Sequence, residues 1–236
     1  MKEYLTHQNL QILHTNTQNK PDSLERGQPG LEWSRFFNGA KPCFSECQTL
    51  LMCLQHADLQ KGLILELGTY LGRTANAIGV LLSALSPGSV LYTFDSFCGL
   101  PETWRPDFPA GTFALPESER PKLLPNVRQV LGTFAESLPA FLAQVEACEA
   151  GGEPIPISFL HIDCDLYSST KEALELLAGR IVPGTVLLFD EFYKYPGWEK
   201  NGEYRAFMEL VAKEEWRYRY LCRNVYHEAV GIQIIQ

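Results

Sequence analysis

Two apolar segments of the 236-residue chain each end in a pair of acids. In FLHIDCDLYSSTK these are Asp163 and Asp165, and in IVPGTVLLFDEF they are Asp190 and Glu191. Runs rich in Ile, Val, Leu and Phe are typical of strands buried on both faces of a parallel sheet. Ligands of open α/β sheets bind outside the carboxyl ends of the strands. The four acids therefore predict a site that needs a positive counter-charge.

A third segment, ILELGTYLGRT, predicts a strand, a glycine turn and a helix that begins near Gly72. Glycine lets a backbone turn tightly and approach a ligand, and a helix N-terminus offers unpaired amides. Tyr70 stands where the second glycine of a dinucleotide fingerprint would approach a pyrophosphate, so the segment is not that fingerprint. Glu66, before Gly68, suits a cationic ligand better than a diphosphate. The segment predicts a nucleotide-type site, with a ligand-free strand-to-helix turn as the alternative.

The next predicted strand, residues 90–94, leads into FDSFCGLPE and places Asp95 at its end. One carboxylate there can accept hydrogen bonds from both hydroxyls of a nucleoside ribose. The alternative for Asp95 is a helix cap or turn former. Residues 101–125 follow as a Pro-rich stretch without periodicity, which predicts a lid or binding loop. Its aromatic side chains either stack on a substrate or bury the loop.

Strands and helices alternate along the remaining chain. Further strands are predicted at residues 127–131, before each acid pair, and at residues 217–222 and 229–235. Ser169 and Glu172 form a predicted capping box that starts the helix after the first acid pair. The pattern predicts a doubly wound, mostly parallel, seven-stranded Rossmann-like sheet with an antiparallel edge strand.

Residues 1–58 are predicted to form an N-terminal arm with one or two helices, and residues 59–236 the ligand-binding domain. The polar stretch over residues 1–30 either covers the mouth of the site or meets a second subunit, so a homodimer is expected. Apolar residues at helical spacing, such as Leu50 and Leu54, predict a helix before the first strand.

Composition excludes several classes of protein. With 28 acidic and 20 basic residues, the net charge of −8 argues against a nucleic-acid binder. The apolar runs are much shorter than the roughly 20 residues that span a bilayer, and the polar N-terminus lacks a signal pattern, so we expect a cytoplasmic protein without a membrane partner. Seven cysteines without CxxC spacing fit reduced thiols.

In their order, ILELGTYLGRT, FDSFCGLPE, FLHIDCDLYSSTK and FDEF resemble the motifs of class I S-adenosylmethionine-dependent methyltransferases. More narrowly, the chain resembles the macrocin O-methyltransferase family, metal-dependent enzymes that methylate sugar hydroxyls of natural products. The resemblance covers residues 60–235 of the sequence. It implies S-adenosylmethionine and a divalent metal, with Mg²⁺ expected, as cofactors. The implied acceptor is a hydroxylated small molecule, a sugar or other diol.

The resemblance also implies roles for individual positions. Asp163, Asp190 and Glu191 match the family's metal ligands, and Asp165 matches its general base. Asp95 matches the residue that binds the ribose. The positions that match cofactor-binding residues are Glu66, Leu67, Gly68, Thr69, Tyr70, Asp95, Ser96, Phe97, Thr133, Phe134 and Asp163.

The chemistry agrees with these implied roles. Mg²⁺ takes oxygen ligands in octahedral geometry and keeps several waters, so a few carboxylates leave positions for two adjacent hydroxyls. Asp163 and Asp165, two apart on an extended strand, would share a face, so that one binds metal while the other faces the hydroxyl. Two other functions remain open at this point. One is a nicotinamide-dependent oxidoreductase, against which Tyr70 argues, and the other is a non-catalytic S-adenosylmethionine-binding or assembly protein whose acids are helix caps.

Overall fold

The computed structural model of the protein describes residues 36–149 and 151–236. Most of the predicted N-terminal arm therefore lies outside the described residues. The chain divides after Asn38, and every element below belongs to the unit Gly39–Gln236. That residues 1–58 have a role of their own stays a prediction.

The described residues form one eight-stranded sheet. Its strands are β1 (Lys41–Cys43), β2 (Leu63–Leu67), β3 (Leu91–Asp95), β4 (Val127–Leu131), β5 (Ile157–Ile162), β6 (Val186–Phe189), β7 (Tyr218–Asn224) and β8 (Val230–Ile234). Their order across the sheet is β1-β7-β8-β6-β5-β2-β3-β4. Strand β8 is antiparallel to both neighbours, and the other adjacent pairs are parallel. The predicted mostly parallel sheet is confirmed, and its antiparallel strand lies near one edge.

Strand β1 is the eighth strand, which the sequence analysis did not predict. It pairs with β7, where Lys41 lies opposite Cys222. At three residues it is too short for alternation of apolar and polar side chains to be detected. Ser45 follows and caps the next helix, since its Oγ accepts a hydrogen bond from the Gln48 amide at 3.2 Å.

Within the described unit Gly39–Gln236, five α-helices cover the two faces of the sheet. They are α1 (Glu46–His56), α2 (Arg73–Leu85), α3 (Phe134–Glu149), α4 (Tyr167–Leu177) and α5 (Gly202–Lys213), with 3₁₀ turns at Glu117–Glu119 and Ala178–Arg180. Leu50 of α1 and Ile78 of α2 share a buried core with Leu91 of β3. Phe94, on the opposite face of β3, packs against Phe141 of α3 with ring centroids 5.3 Å apart. Over the described ranges, none of the helices has the length and apolarity that crossing a membrane requires.

The sheet order positions the site. Strands β3, β2, β5 and β6 are adjacent and parallel, so their carboxyl ends share one edge of the sheet. The chain proceeds from β2 toward β4 on one side and from β5 toward β6 on the other, so the order reverses between β2 and β5. Open α/β sheets bind ligands at such a point.

Candidate active site

A cavity of about 680 Å³ lies at the carboxyl ends of β2, β3 and β5. Its walls come from the turns after these strands, the loop after β3, the start of α3 and the first turns of α4. The volume falls within the range of small-molecule sites. The cavity therefore coincides with the reversal of strand order between β2 and β5.

Most of the predicted site residues line this cavity. They are Gly68, Thr69, Tyr70, Asp95, Ser96, Thr133, Phe134, Asp163, Asp165 and Glu191. Glu66 and Leu67 are buried inside β2, and Phe97 and Asp190 also lie outside the lining. Their individual roles stay predictions.

Asp95 organises the turn after β2. Its Oδ2 accepts hydrogen bonds from the amides of Thr69 at 2.9 Å and Tyr70 at 2.8 Å, and its Oδ1 accepts one from the Phe97 amide at 2.7 Å. The alternative reading of Asp95 as a turn former is therefore correct. Because each carboxylate oxygen can accept more than one hydrogen bond, a ribose contact remains compatible with this role and stays a prediction.

Gly68 allows the ends of β2 and β5 to touch. Its φ is +96°, and a Cβ at this position would lie 1.8 Å from the carbonyl oxygen of Asp163. The amide of Asp163 in turn donates to the Leu67 carbonyl at 2.9 Å. The glycine is thus required by the neighbouring backbone as well as by the turn.

Three carboxylates from the turns after β5 and β6 meet in the cavity. Oxygen atoms of Asp163, Asp165 and Glu191 lie within 4.8 Å of one another. The predicted reason, a shared face of an extended strand, is wrong, since β5 ends before Asp163 and Asp165 has a left-handed φ of +64°. Instead, a tight turn in which the Leu166 amide donates to the Cys164 carbonyl at 2.6 Å brings them together.

The carboxylates of these acids are largely buried, and their negative charges repel one another. Burial, followed by the charge of Asp190, raises the pKa of Asp163 well above its usual range. The same two causes raise the pKa of Glu191. They also raise the pKa of Asp165 to about 7, while the charge of Arg105 acts in the opposite direction. The site therefore contains more negative charge than the nearby cations balance.

Asp190 lies outside the group of three, although it supplies the strongest charge effect on each member. Its Oδ2 is 3.9 Å from Nδ1 of His227. The resemblance implied Asp163, Asp190 and Glu191 as the metal ligands. The geometry instead places Asp165 with Asp163 and Glu191, so the identity of the third ligand stays a prediction.

Glu203 is a buried acid of the site that the sequence analysis missed. It lies in the first turn of α5, and its Oε2 accepts a hydrogen bond from the Glu191 amide at 3.0 Å. Burial raises its pKa well above the usual range, although that hydrogen bond acts against the shift. Acids are common in the first turn of a helix, so its position in the sequence carried no signal.

Two carboxylate oxygens beside the cavity lack a hydrogen-bond partner among the described residues. They are Oε2 of Glu191 and Oε1 of Glu203, both buried. Buried polar atoms are nearly always paired, so such oxygens require an explanation. Oxygen atoms that converge with raised pKa values fit a hard divalent cation, which would supply the missing charge and the missing partner.

Glu66 belongs to a separate network in which each oxygen has a partner. Thr93 Oγ1 donates to Glu66 Oε2 at 2.6 Å, and His161 Nδ1 lies 3.2 Å from Oε1. Burial lowers the pKa of His161, but the hydrogen bond that it donates to Glu66 and the charges of Asp163 and Asp190 outweigh burial and raise it to about 9. The interpretation of His161 as a hydrogen-bonded core residue is confirmed.

The loop after β3 forms an aromatic wall of the cavity. The rings of Trp104 and Phe108 are 5.1 Å apart, those of Phe108 and Phe113 are 5.7 Å apart, and those of Phe113 and Tyr70 are 5.1 Å apart. All four side chains line the cavity. The rings pack on one another and also face the cavity, so burial within the loop is confirmed and stacking on a substrate stays a prediction.

The first turns of α4 form another part of the lining. The helix begins at Tyr167 after Leu166, which makes no side-chain cap. The predicted capping box of Ser169 and Glu172 is therefore wrong. The tight turn after β5 starts the helix three residues earlier, since Leu166 takes the cap position predicted for Ser169, and the side chains of Ser169 and Glu172 line the cavity instead.

A family model described as "Methyltransferase domain" matches residues 65–192, more than half of the chain. No curated protein sequence matches the chain. Among solved structures, CalS11, a calicheamicin methyltransferase, is similar with a TM-score of 0.63 and 21% identity over 80% of this chain and 78% of that chain. The O-methyltransferase NovP is similar with a TM-score of 0.59 and 19% identity over 80% and 79% of the two chains. These likenesses confirm the predicted fold.

Proposed function

The chain belongs to the methyltransferase domain family, and from that premise we propose that it transfers the methyl group of S-adenosylmethionine to a hydroxyl oxygen of a small molecule with the help of a divalent cation. Oxygen as the methyl acceptor is also what the name of the similar structure NovP states for that protein. The acceptor we propose is a sugar or another diol.

One observation carries this proposal. A single cavity contains both the turn after β2, with Asp95, and the carboxylates Asp163, Asp165 and Glu191. The first set suits a nucleoside ligand and the second a cation with a bound hydroxyl. Methyl transfer requires these two ligands to meet, and the cavity joins the two sets.

The cofactor end of the cavity has features that suit a nucleoside with a positive charge. Thr133 and Phe134 begin α3 beside the cavity, where we place the adenine. Asp95 lies between them and the turn after β2, where we place the ribose. The carboxylates that line the cavity beyond Gly68 suit the positively charged sulfonium and amino groups of the cofactor. We propose that Glu66 contributes only through the fold, since Thr93 and His161 occupy its oxygens.

At the other end we propose that Asp163, Glu191 and Asp190 hold the cation and that Asp165 removes the proton from the acceptor. The unpaired Oε2 of Glu191 supports the first role. The position of Asp165 supports the second role, because its carboxylate lies in the same cavity as those of Asp163 and Glu191 and can accept a proton from a hydroxyl held there. Glu203 holds the Glu191 backbone in place through its hydrogen bond.

When bound, S-adenosylmethionine supplies an electrophilic methyl group and the divalent cation lowers the pKa of a hydroxyl that it coordinates. The chain's own residues hold the acceptor oxygen near the cofactor and accept its proton at the carboxylate of Asp165. The aromatic wall presents apolar rings to the cavity, and an apolar lining strengthens each charge interaction inside it.

The test is thermal unfolding of the purified protein with S-adenosylmethionine, S-adenosylhomocysteine or NAD, each with and without Mg²⁺. A ligand that binds only the folded state raises the unfolding midpoint. We expect both S-adenosyl compounds to raise it and NAD to leave it unchanged. Stabilisation by NAD alone would point to an oxidoreductase, and no shift with any of them would point to a non-catalytic protein.

A pair of matched variants distinguishes the metal ligands from the base. Asp190→Asn should weaken Mg²⁺ binding measured by calorimetry at least about tenfold, while Asp165→Asn should leave that affinity within about threefold and abolish methyl transfer. If Mg²⁺ affinity is instead lost in Asp165→Asn and kept in Asp190→Asn, the metal ligands are Asp163, Asp165 and Glu191, the three carboxylates that lie together in the structure.

A further inference from the structure

We propose that the acceptor is uncharged and carries its reacting hydroxyls beside an apolar or aromatic ring system, and that acceptors bearing a diphosphate, such as nucleotide-linked sugars, are rejected. This inference rests on the proposed function and specifies the substrate class of the same site. It concerns the part of the acceptor that does not react.

The lining of the cavity is negatively charged. Five carboxylates line it, and no Lys, Arg or His does so among the described residues. The five are Asp95, Asp163, Asp165, Glu172 and Glu191. Phosphate groups are normally bound by basic side chains or by free amides at a helix N-terminus. The described lining offers no basic side chain for this purpose.

The amides of the turn after β2 are also occupied. Those of Thr69 and Tyr70 both donate to Oδ2 of Asp95. A phosphate at this turn would have to displace a carboxylate that is already held by three amides. The turn therefore differs from a phosphate-binding loop, in which the amides point at the ligand.

Arg105, a cation close to the cavity, is already neutralised. Its guanidinium forms an ion pair with Glu228, with a shortest distance of 2.5 Å. It also lies over the rings of Trp104, at 3.9 Å from the centroid, and Tyr195, at 4.5 Å. Releasing it to bind a phosphate would leave Glu228 without this partner.

The loaded site remains negative as well. Five carboxylates face one divalent cation and one S-adenosylmethionine, which carries a single net positive charge. Two negative charges are left over when all five carboxylates are ionised. A diphosphate held away from the cation in the same cavity would be repelled.

The aromatic wall of the cavity also favours an uncharged ring system on the acceptor. Trp104, Phe108 and Phe113 line the cavity from the loop after β3, and Tyr70 continues the row. Flat apolar groups pack favourably against such rings. An uncharged ring system on the acceptor would bury this surface, whereas the highly hydrated phosphates of a nucleotide sugar would not.

The experiment compares matched acceptors that present the same hydroxyls. Phenyl rhamnoside and phenyl glucoside are compared with thymidine-diphospho-rhamnose and thymidine-diphospho-glucose. Calorimetry measures their binding to the full chain loaded with S-adenosylhomocysteine and Mg²⁺. We expect at least one phenyl glycoside to bind at least about tenfold more tightly than the nucleotide sugar with the same hexose. Equal or tighter binding of the nucleotide sugars, or no binding in either series, would overturn the inference.

Two variants and a control tie the result to the cavity. Trp104→Ala should weaken phenyl glycoside binding about tenfold and leave the affinity for S-adenosylhomocysteine unchanged. Glu172→Lys should strengthen nucleotide sugar binding, because it adds a cation to the lining. Phe44→Ala removes a ring that is 56% exposed and outside the cavity, and should change neither affinity. If Trp104→Ala weakens phenyl glycoside binding no more than Phe44→Ala does, the aromatic wall does not bind the acceptor.

The two proposals fail in different ways. If S-adenosylhomocysteine does not bind to the unmodified protein, the proposed methyl transfer fails, and the substrate inference fails with it. If S-adenosylhomocysteine binds and the phenyl series does not bind more tightly, only the inference about the acceptor is wrong.

Discussion

Two sets of buried carboxylates lie close together in this protein and differ in how they are paired. Glu66, inside β2, has a partner for each oxygen in Thr93 and His161. Glu191 and Glu203, beyond β6, each have a buried oxygen without a partner among the described residues. Both sets are fully or almost fully buried.

The difference indicates which acids stabilise the fold and which form a site. A buried carboxylate with its partners contributes to a unique arrangement of the core, and removing a partner is costly. A group of carboxylates with raised pKa values and unpaired oxygens lowers the stability of the folded state, and such groups persist where a ligand or a reaction needs them. Mutations in the two sets should therefore have effects of opposite sign.

The largest effect is expected at Gly68, which follows Glu66 by two residues and lies against the backbone of Asp163. Gly68→Ala would place a Cβ against the Asp163 carbonyl oxygen, at 1.8 Å, in a residue with φ of +96°. We expect the free energy of unfolding to fall by about 3 kcal/mol or more, measured by urea denaturation. Gly88→Ala is the matched control, since Gly88 has φ of +97° and no atom within 4 Å of the added Cβ. A loss in Gly68→Ala no larger than that of the control would show that the backbones do not meet as described.

A smaller loss is expected for the paired acid. Glu66→Gln keeps the shape of the side chain and removes the negative charge beside His161, whose pKa is raised to about 9. We expect the free energy of unfolding at pH 7 to fall by about 2 kcal/mol in urea denaturation. The exposed Glu119→Gln serves as the control and should stay within about 0.5 kcal/mol of the unmodified protein. If Glu66→Gln leaves the free energy of unfolding unchanged, Glu66 does not stabilise the fold through its partners and resembles the unpaired acids.

The smallest effect, of opposite sign, is expected for the unpaired acid. Glu191→Gln removes a carboxylate whose pKa is raised by burial and by Asp190 and Glu203. In the presence of a metal chelator, we expect the free energy of unfolding to rise by about 1 kcal/mol, because repulsion is relieved. The stabilisation by Mg²⁺ should be lost in the same variant, as measured by the unfolding midpoint. A destabilised Glu191→Gln without metal would mean that this carboxylate has a structural partner.

The local pattern of apolar and polar residues was sufficient to predict most strands and helices. The apolar runs that became β2, β3, β4, β5 and β6 were predicted within a few residues, because burial on both faces leaves a continuous apolar signal. The acids that follow β5 and β6 were identified because they interrupt such runs at the edge where ligands bind. Strand β1 and the start of α4 were not predicted, since a three-residue strand and an uncapped helix start carry little local signal.

The fold class, the order of the motifs and the acids at the strand ends follow from the amino-acid sequence alone, because they depend on the local hydrophobic period and on a general rule for parallel sheets. The partners of the buried acids depend on the tertiary structure. The register that sets Glu66 opposite Thr93 and His161, the contact that requires Gly68, and the approach of Glu203 to Glu191 all join residues far apart in the chain. Such contacts depend on how strands and turns meet in space, which no local spacing of residues specifies.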